Sequence, residues 1–208
     1  EKVFAERELP AKEQRTGEAF VGERFNFQLA YFWEEDCAWA QVETESELDS
    51  VSVRTVELEP AQFVCDLEPD DNYLRTHAGL FPDILKPLDG PVRLIPGQWR
   101  ALWCSIDTTV EPAGEYPVTV RILVEGEKVA EETFSFRLLP CALPPQRLLF
   151  TQWFHADCIA HQYGETVFSP RWWELTERYV SFAAQHGMNM LLTPLFTPPL
   201  DTLPGTER

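Results

Sequence analysis

The chain has 208 residues, of which 44% are hydrophobic and 12% aromatic, and this composition excludes a globally disordered protein. Asp and Glu total 34 against 17 Lys and Arg, giving a formal net charge of -17. Such a surface repels phosphate backbones and anionic lipids, so neither nucleic acid nor a membrane is expected as a partner. No apolar run reaches the roughly 18 residues that a membrane span needs.

Alternation with a period of two dominates the first 140 residues and predicts half-buried antiparallel strands. No amphipathic helix is expected before residue 165, so residues 1–140 are predicted to form a β-sandwich domain. The predicted inward-facing residues are Phe25, Phe27, Leu29 and Tyr31, then Leu102, Cys104 and Ile106, then Tyr116, Val118, Val120, Ile122 and Val124, and finally Phe134, Phe136 and Leu138.

The segment Asp66–Leu94 interrupts this alternation and is rich in Pro and Asp. Its composition favours an ordered surface excursion that covers a sheet edge. The alternative is a binding loop that carries Tyr73, Arg75 and His77.

A Pro-rich linker, residues 141–146, separates the sandwich from a region with a different pattern. There a strand at about 147–154 precedes a helix, for which Ser169 is a good N-cap and Pro170 suits the first position. Gly187 ends that helix, and MNMLLTPLF is a second apolar strand. Strand, helix and strand at this spacing predict a parallel βαβ unit.

One βαβ unit does not cover both faces of a parallel sheet. We therefore expect residues 147–208 to begin a (β/α)8 barrel or an open α/β sheet that a later part of the protein completes. The overall expectation is a mainly β sandwich followed by the first βαβ unit of a truncated barrel. The alternative is that these residues are a small appendage that packs on the sandwich.

The five cysteines are an odd number without CxxC spacing, which favours reduced thiols over a disulfide framework. Free thiols and the lack of a visible leader favour a cytoplasmic protein. Because the first residue is Glu1 rather than Met, a secreted protein that has lost its leader remains the alternative.

Polar and aromatic groups follow the first parallel strand in WFHADCIAH. Ligands of parallel α/β domains bind at the carboxyl ends of the strands. We expect Trp153, His155 and Asp157 to project the same way for as long as the strand geometry continues. An indole can pack on the apolar face of a pyranose while His and carboxylate groups bind its hydroxyls. His155 and Asp157 could equally be an acid–base pair, or a hydrogen-bonded pair that only fixes the loop.

A metal site would use His155, Asp157, Cys158 and His161, but their spacing matches no strong zinc signature. The sequence contains neither a nucleotide-binding glycine motif nor a serine-hydrolase elbow. No metal and no cofactor are therefore expected. The adjacent Trp172 and Trp173 cannot share a helix face, and we assign both a packing role.

The motifs WFHADCIA and HGMNMLLTPLFTPPLDT, preceded by a sandwich that contains IPGQWRALWCSIDTTVEPAGEY, resemble glycoside hydrolase family 123 and its uncharacterised bacterial relatives. The resemblance implies a retaining β-N-acetylgalactosaminidase-like enzyme, in which the acetamido oxygen of the substrate attacks the anomeric carbon. It also implies an Asp–Glu pair on a later barrel strand, which matches no position up to Arg208. No residue of this chain is therefore assigned as catalytic, and the chain alone is expected to be inactive.

The expected substrate is a carbohydrate or glycan, with Trp153, His155, Asp157, Thr197 and Asp201 as pocket residues. The alternative function is a non-enzymatic carbohydrate-binding sandwich. In that hypothesis Tyr73, Trp99 or Trp103 would stack on sugars.

Overall fold

The computed structural model describes residues 2–6, 9, 14–61, 68, 71 and 73–193. The chain divides into two compact units, Glu1–Leu143 and Pro144–Arg208. No helix within the described ranges is long and apolar enough to cross a bilayer.

Two β-sheets make up the described part of the first unit. The strands are β1 (Thr16–Val21), β2 (Arg24–Trp33), β3 (Ala38–Ser46), β4 (Val51–Ala61), β5 (Gly79–Pro87), β6 (Val92–Leu94), β7 (Gln98–Asp107), β8 (Gly114–Val124) and β9 (Glu127–Ala142). One sheet has the order β1-β9-β8-β3-β6 and the other the order β2-β7-β4-β5. Neighbouring strands run antiparallel except for β1 and β9, which pair in parallel.

Aromatic rings from the two sheets meet in the core. Phe27 on β2 stacks on Phe134 on β9, with ring centroids 4.1 Å apart, and Phe25 lies 5.1 Å from Phe136. The inward positions predicted on β7 and β9 are buried, with Cys104 and Ile106 fully inaccessible to solvent. Face-to-face sheets with alternating buried residues confirm the predicted β-sandwich.

The expectation of a surface excursion at Asp66–Leu94 is wrong for its second half. Residues 79–87 form β5, which pairs with β4 at the edge of its sheet, and residues 92–94 form β6 at the edge of the other. Strand β5 was not predicted because it contains Pro82 and Pro87, and proline is unfavourable within a strand. An edge strand tolerates them because part of its backbone has no ladder partner.

Strand β9 continues through Pro140 to Ala142, into residues that the sequence assigned to the linker. The register between β1 and β9 shifts here, from Phe20 opposite Leu139 to Val21 opposite Ala142. The two skipped residues, Pro140 and Cys141, form an irregularity in which the missing N–H of proline costs no ladder bond.

The second unit contains the predicted parallel strand pair. Its elements are β10 (Thr151–Trp153), α1 (Ala156–Tyr163), α2 (Pro170–Gln185) and β11 (Met190–Leu192), with β10 parallel to β11. The short helix α1 was not expected, since no helix was predicted before residue 165. Leu195 and Phe196, which were also predicted to be in the second strand, lie outside the described residues.

Helix α2 begins and ends as its sequence predicts. The Ser169 hydroxyl accepts a hydrogen bond from the Trp172 amide at 3.2 Å, and Pro170 occupies the first helical position. At the other end Gly187 has a φ of +91°. The amides of Gly187 and Met188 donate to Ala184 and Ala183 at 3.0 and 3.1 Å, which is a Schellman motif.

Candidate functional site

The carboxyl ends of the two parallel strands lie side by side. Trp153 is opposite Leu192 in the register, and the Phe154 amide donates to the Leu192 carbonyl oxygen at 2.8 Å. The residues that follow β10 and β11 therefore leave the sheet at the same edge. This is the edge at which parallel α/β domains bind their ligands.

Trp153 and His155 are brought together at this edge. Their rings are nearly parallel, with an interplanar angle of 18° and centroids 6.0 Å apart. The Trp153 side chain is 73% exposed, whereas His155 is half-buried. A large exposed indole beside an imidazole offers a flat apolar surface next to a hydrogen-bonding group.

The alternation that predicts a common face for Trp153, His155 and Asp157 does not extend to the third residue. Strand β10 ends at Trp153, and His155 is already the extended N-cap residue of α1, with φ −101° and ψ 93°. Asp157 lies in the first turn of α1, where a carboxylate interacts favourably with the helix dipole. Asp157 is therefore positioned by the helix and not by the strand.

Trp172 holds the start of α1 in place. Its indole Nε1 donates to the carbonyl oxygen of Ala156 at 2.8 Å, and the side chain is only 4% exposed. Ile159 and Ala160 on α1 and Leu175 on α2 are the other buried hydrophobic residues of the two helices. Trp173 is 55% exposed and its ring meets the edge of the Trp172 ring, with centroids 4.5 Å apart. The packing role assigned to both tryptophans therefore fits Trp172 fully and Trp173 only in part.

An amide side chain aligns the segments that lead into the two strands. Asn189 Oδ1 accepts from the Phe150 amide at 2.8 Å, while Asn189 Nδ2 donates to the Leu148 carbonyl oxygen at 3.0 Å. Gln146 Nε2 adds bonds to the carbonyl oxygens of Leu148 and Gly187 at 3.1 and 3.0 Å. These contacts fix the amino ends of β10 and β11 relative to each other, and the strand pattern alone gave no signal for them.

The other predicted site residues are Thr197 and Asp201 of the sugar pocket, the hypothetical metal ligands, and the cysteines. Thr197 and Asp201 lie outside the described residues. Among the described residues no three His, Cys, Asp or Glu side chains are grouped as metal ligands would be, so the four-residue metal hypothesis gains no geometric support. Cys37, Cys104 and Cys141 are free thiols.

The tryptophans proposed for a sugar-binding sandwich are partly covered. Trp99 and Trp103 pack with Val3 and Leu9 of the N-terminal segment, and the Trp99 amide donates to Ala5 at 2.9 Å. Trp103 Nε1 also donates to Asn26 at 3.2 Å. These contacts give both tryptophans a packing role within the first unit.

Arg75, a candidate of the alternative binding loop, is also held by structural contacts. It forms an ion pair with Glu6, and its guanidinium lies 4.3 Å from the centroid of the Phe81 ring and 5.0 Å from that of Phe4. Only 11% of its side chain is exposed. Arg75 therefore fastens the N-terminal segment to β5 and is not available to a ligand.

Comparison with known proteins finds a matching family model and a similar solved structure of the same family. Residues 153–207 match the family model described as glycoside hydrolase 123, catalytic domain. A solved structure of a family 123 glycoside hydrolase from Clostridium perfringens, described in connection with glycolipid glycan hydrolysis, has a TM-score of 0.69 and 14% identity. That comparison covers 87% of this chain and 34% of the other, so the chain spans about a third of that structure's length.

Two other solved structures are more distant. The N-terminal domain of PorA has a TM-score of 0.34 at 10% identity, with 68% of this chain and 100% of that chain covered. AvmM, which catalyses macrocyclization in alchivemycin A biosynthesis, has a TM-score of 0.31 at 14% identity, with 68% and 88% covered. No curated protein matches the chain. The matched segment and the shared fold together confirm the resemblance of this chain to glycoside hydrolase family 123.

Proposed function

We propose that the chain is the N-terminal part of a glycoside hydrolase that resembles β-N-acetylgalactosaminidases. In this proposal residues 1–140 are an accessory sandwich whose last strand runs on to Ala142, the rest of 141–146 is a linker, and 147–208 are the start of a (β/α)8 barrel. The observation that carries it is the Trp153–His155 pair at the carboxyl end of β10, where the match to the catalytic-domain model begins. Barrel enzymes of this architecture place their active sites at that end.

The residue types at this edge suit a sugar ring. The exposed face of Trp153 would pack on the C–H face of a pyranose. His155 and Asp157 would exchange hydrogen bonds with its hydroxyls, and Thr197 and Asp201, which follow the second strand, would complete the pocket wall. These five residues would bind and orient substrate without reacting with it.

In the intact enzyme the acetamido oxygen of the substrate would attack the anomeric carbon, and hydrolysis would proceed with retention. An Asp–Glu pair on a later strand would orient the acetamido group and supply the general acid, an exception to the usual scheme of two catalytic carboxylates. No residue of this chain is assigned that role. The 208-residue chain alone would therefore be inactive.

The exposure of the strand pair supports a larger barrel. Leu191 and Leu192 on β11 are 38% and 45% exposed, although parallel strands of this composition are normally covered on both faces. Phe150, which directly precedes β10, and Trp153, the last residue of β10, are exposed as well. Additional βα units would cover such strands.

The test is to express the complete open reading frame that encodes this chain and, separately, the 208-residue chain. Both are assayed with p-nitrophenyl N-acetyl-β-D-galactosaminide and a panel of other aryl glycosides. We expect turnover by the complete protein and none by the shorter chain. A reading frame that ends at Arg208, turnover by the 208-residue chain, or a complete protein that hydrolyses no glycoside would each overturn the proposal.

A further inference from the structure

A cavity of about 290 Å³ opens in the first unit, far along the chain from Trp153. It is lined by residues of both sheets, including the edge strands β5 and β6 and the connection between them. We call it the edge cleft and define it by six of its lining residues, which are Tyr31, Trp39, Thr55, Glu57, Lys86 and Arg100.

The edge cleft is polar at positions where the strand pattern calls for apolar groups. Tyr31 lies opposite Arg100 in the register of β2 and β7, and Arg100 precedes the buried Leu102 by two residues. Thr55 on β4 lies opposite Leu102 on β7. The Thr55 hydroxyl donates a hydrogen bond to Glu57 Oε1 at 2.7 Å. The Tyr31–Arg100 pair and the Thr55–Leu102 pair are neighbours in the sheet, so a guanidinium, a carboxylate and two hydroxyls replace hydrophobic side chains in this part of the sandwich.

Hydrogen-bonding capacity in the edge cleft is left unused. Arg100 Nη2 donates to Gln98 at 3.1 Å, whereas its buried Nε has no hydrogen-bond partner among the described residues. Burial raises the pKa of Tyr31 to about 12, with Glu57 adding to the rise and Arg100 opposing it. Buried donors of this kind are normally satisfied in folded proteins, so an unsatisfied one at a cavity indicates a missing partner.

An exposed aromatic ring completes the edge cleft. Trp39 is 64% exposed, and Arg93 is opposite it on β6. Lys86 and Asp89 also line the cavity, so cationic and anionic groups are interspersed. A ligand of either charge would meet groups of its own sign, the carboxylates of Glu57 and Asp89 or the cations of Lys86, Arg93 and Arg100. A neutral ligand with adjacent hydroxyls can bind to the cationic and the anionic side chains alike, because each hydroxyl can donate to a carboxylate and accept from a guanidinium.

We propose that the edge cleft binds a saccharide unit, with Trp39 packing on the ring and Arg100 and Glu57 bonding adjacent hydroxyls. A cavity of this size lies near the lower limit of small-ligand pockets and fits about one sugar residue. The proposal does not depend on the catalytic function proposed above, because the edge cleft belongs to Glu1–Leu143 and the Trp153 edge to Pro144–Arg208. The sandwich would thus hold a glycan at a second position of the protein.

The experiment titrates the 208-residue chain with methyl β-D-galactopyranoside and methyl β-D-glucopyranoside at millimolar concentrations, using calorimetry and saturation-transfer NMR. The variants Trp39→Ala and Glu57→Gln are each expected to weaken binding by about tenfold, because each removes a direct contact with the sugar. Tyr31→Phe removes only a hydroxyl and shows whether the phenol contributes. Trp173→Ala, which removes an exposed tryptophan of α2, is the matched control and should bind as the parent does.

Three outcomes would overturn the proposal. The first is that neither glycoside binds. The second is that sodium acetate or glucuronate binds and the neutral glycosides do not, which would make the edge cleft an anion site. The third is that Trp153→Ala abolishes glycoside binding while Trp39→Ala leaves it unchanged. That last result would place the sugar at the Trp153 edge and leave the proposed catalytic function intact.

Discussion

The indole N–H of Trp172 donates to the carbonyl oxygen of Ala156 at 2.8 Å, across sixteen positions of the chain. Ala156 is the first residue of α1 and directly follows His155. A side chain of α2 thus fixes the loop that carries the candidate sugar-binding residues. This bond makes the geometry of the Trp153 edge depend on a residue that need not contact the ligand.

Replacing Trp172 with Phe should loosen the start of α1. The change keeps an aromatic ring but leaves the Ala156 carbonyl without its donor, at a cost of about 1–3 kcal/mol. Amide hydrogen exchange of residues 156–161 measures the effect. Trp173→Phe is the matched control, since Trp173 is exposed and should tolerate the change. Equal exchange rates in the two variants would contradict the assigned role of the Trp172 bond.

Removing the N-cap of α2 should destabilise that helix. Ser169→Ala deletes the hydroxyl that accepts from the Trp172 amide, and such a loss typically costs about 1 kcal/mol. Ser181→Ala, at an exposed position inside the same helix, changes the same atoms without touching a cap and should be close to neutral. Urea denaturation followed by the fluorescence of the tryptophans measures both. An effect of Ser181→Ala as large as that of Ser169→Ala would rule out the capping explanation.

In the complete protein, Trp153→Ala should lower kcat/KM for an aryl glycoside by about tenfold, mainly through a higher KM. The physical reason is the loss of the flat apolar surface beneath the sugar ring. The control is again Trp173→Ala, which removes an exposed indole from α2. A change in kcat with KM unaltered would argue against a binding role for Trp153.

The first unit should lose stability at high pH. Burial raises the pKa of the Cys104 thiol from 9.0 to about 12 and that of Tyr31 from 10.0 to about 12. Between pH 9 and 12 the unfolded chain releases these protons while the folded chain keeps them, so the free energy of unfolding falls as the pH rises. Below about pH 8 these two groups should cause no pH dependence, because both are then protonated in the folded and in the unfolded chain.

Cys104→Val tests the thiol's share of this loss, because it keeps an apolar side chain of similar size in a fully buried position. Denaturant titrations give the free energy of unfolding at pH 8 and at pH 11. The decrease between the two pH values should be smaller for this variant than for the parent. An unchanged decrease would mean that other groups cause the alkaline instability.

The sandwich could be predicted because burial alternates along most of its strands. Leu102, Cys104 and Ile106 are buried as the pattern requires. Helix α1 could not be predicted from local pattern, because its eight residues are too few to be stable alone and depend on packing against α2. Alternation also fails where a helix follows a strand after two residues, which is why Asp157 does not continue the face of Trp153.

The edge cleft was invisible in the sequence for a different reason. Tyr31, Thr55 and Arg100 come from three strands, and only the sheet register shows that the Tyr31–Arg100 pair lies next to the Thr55–Leu102 pair. Trp39 reads as an ordinary outward residue of β3. The sequence contains the residue types but not the register that brings them together.

The parallel pairing of β1 with β9 has a consequence for the order of folding. Arg137 on β9 donates to Glu18 on β1 at 3.1 Å, although 119 residues separate them in the chain. Contacts between such distant residues close late and slow the folding of all-β domains. During synthesis β1 therefore remains unpaired until β9, and with it nearly the whole first unit, has left the ribosome. The sandwich should consequently become protease-resistant in a single late step, at about the time the second unit starts to emerge.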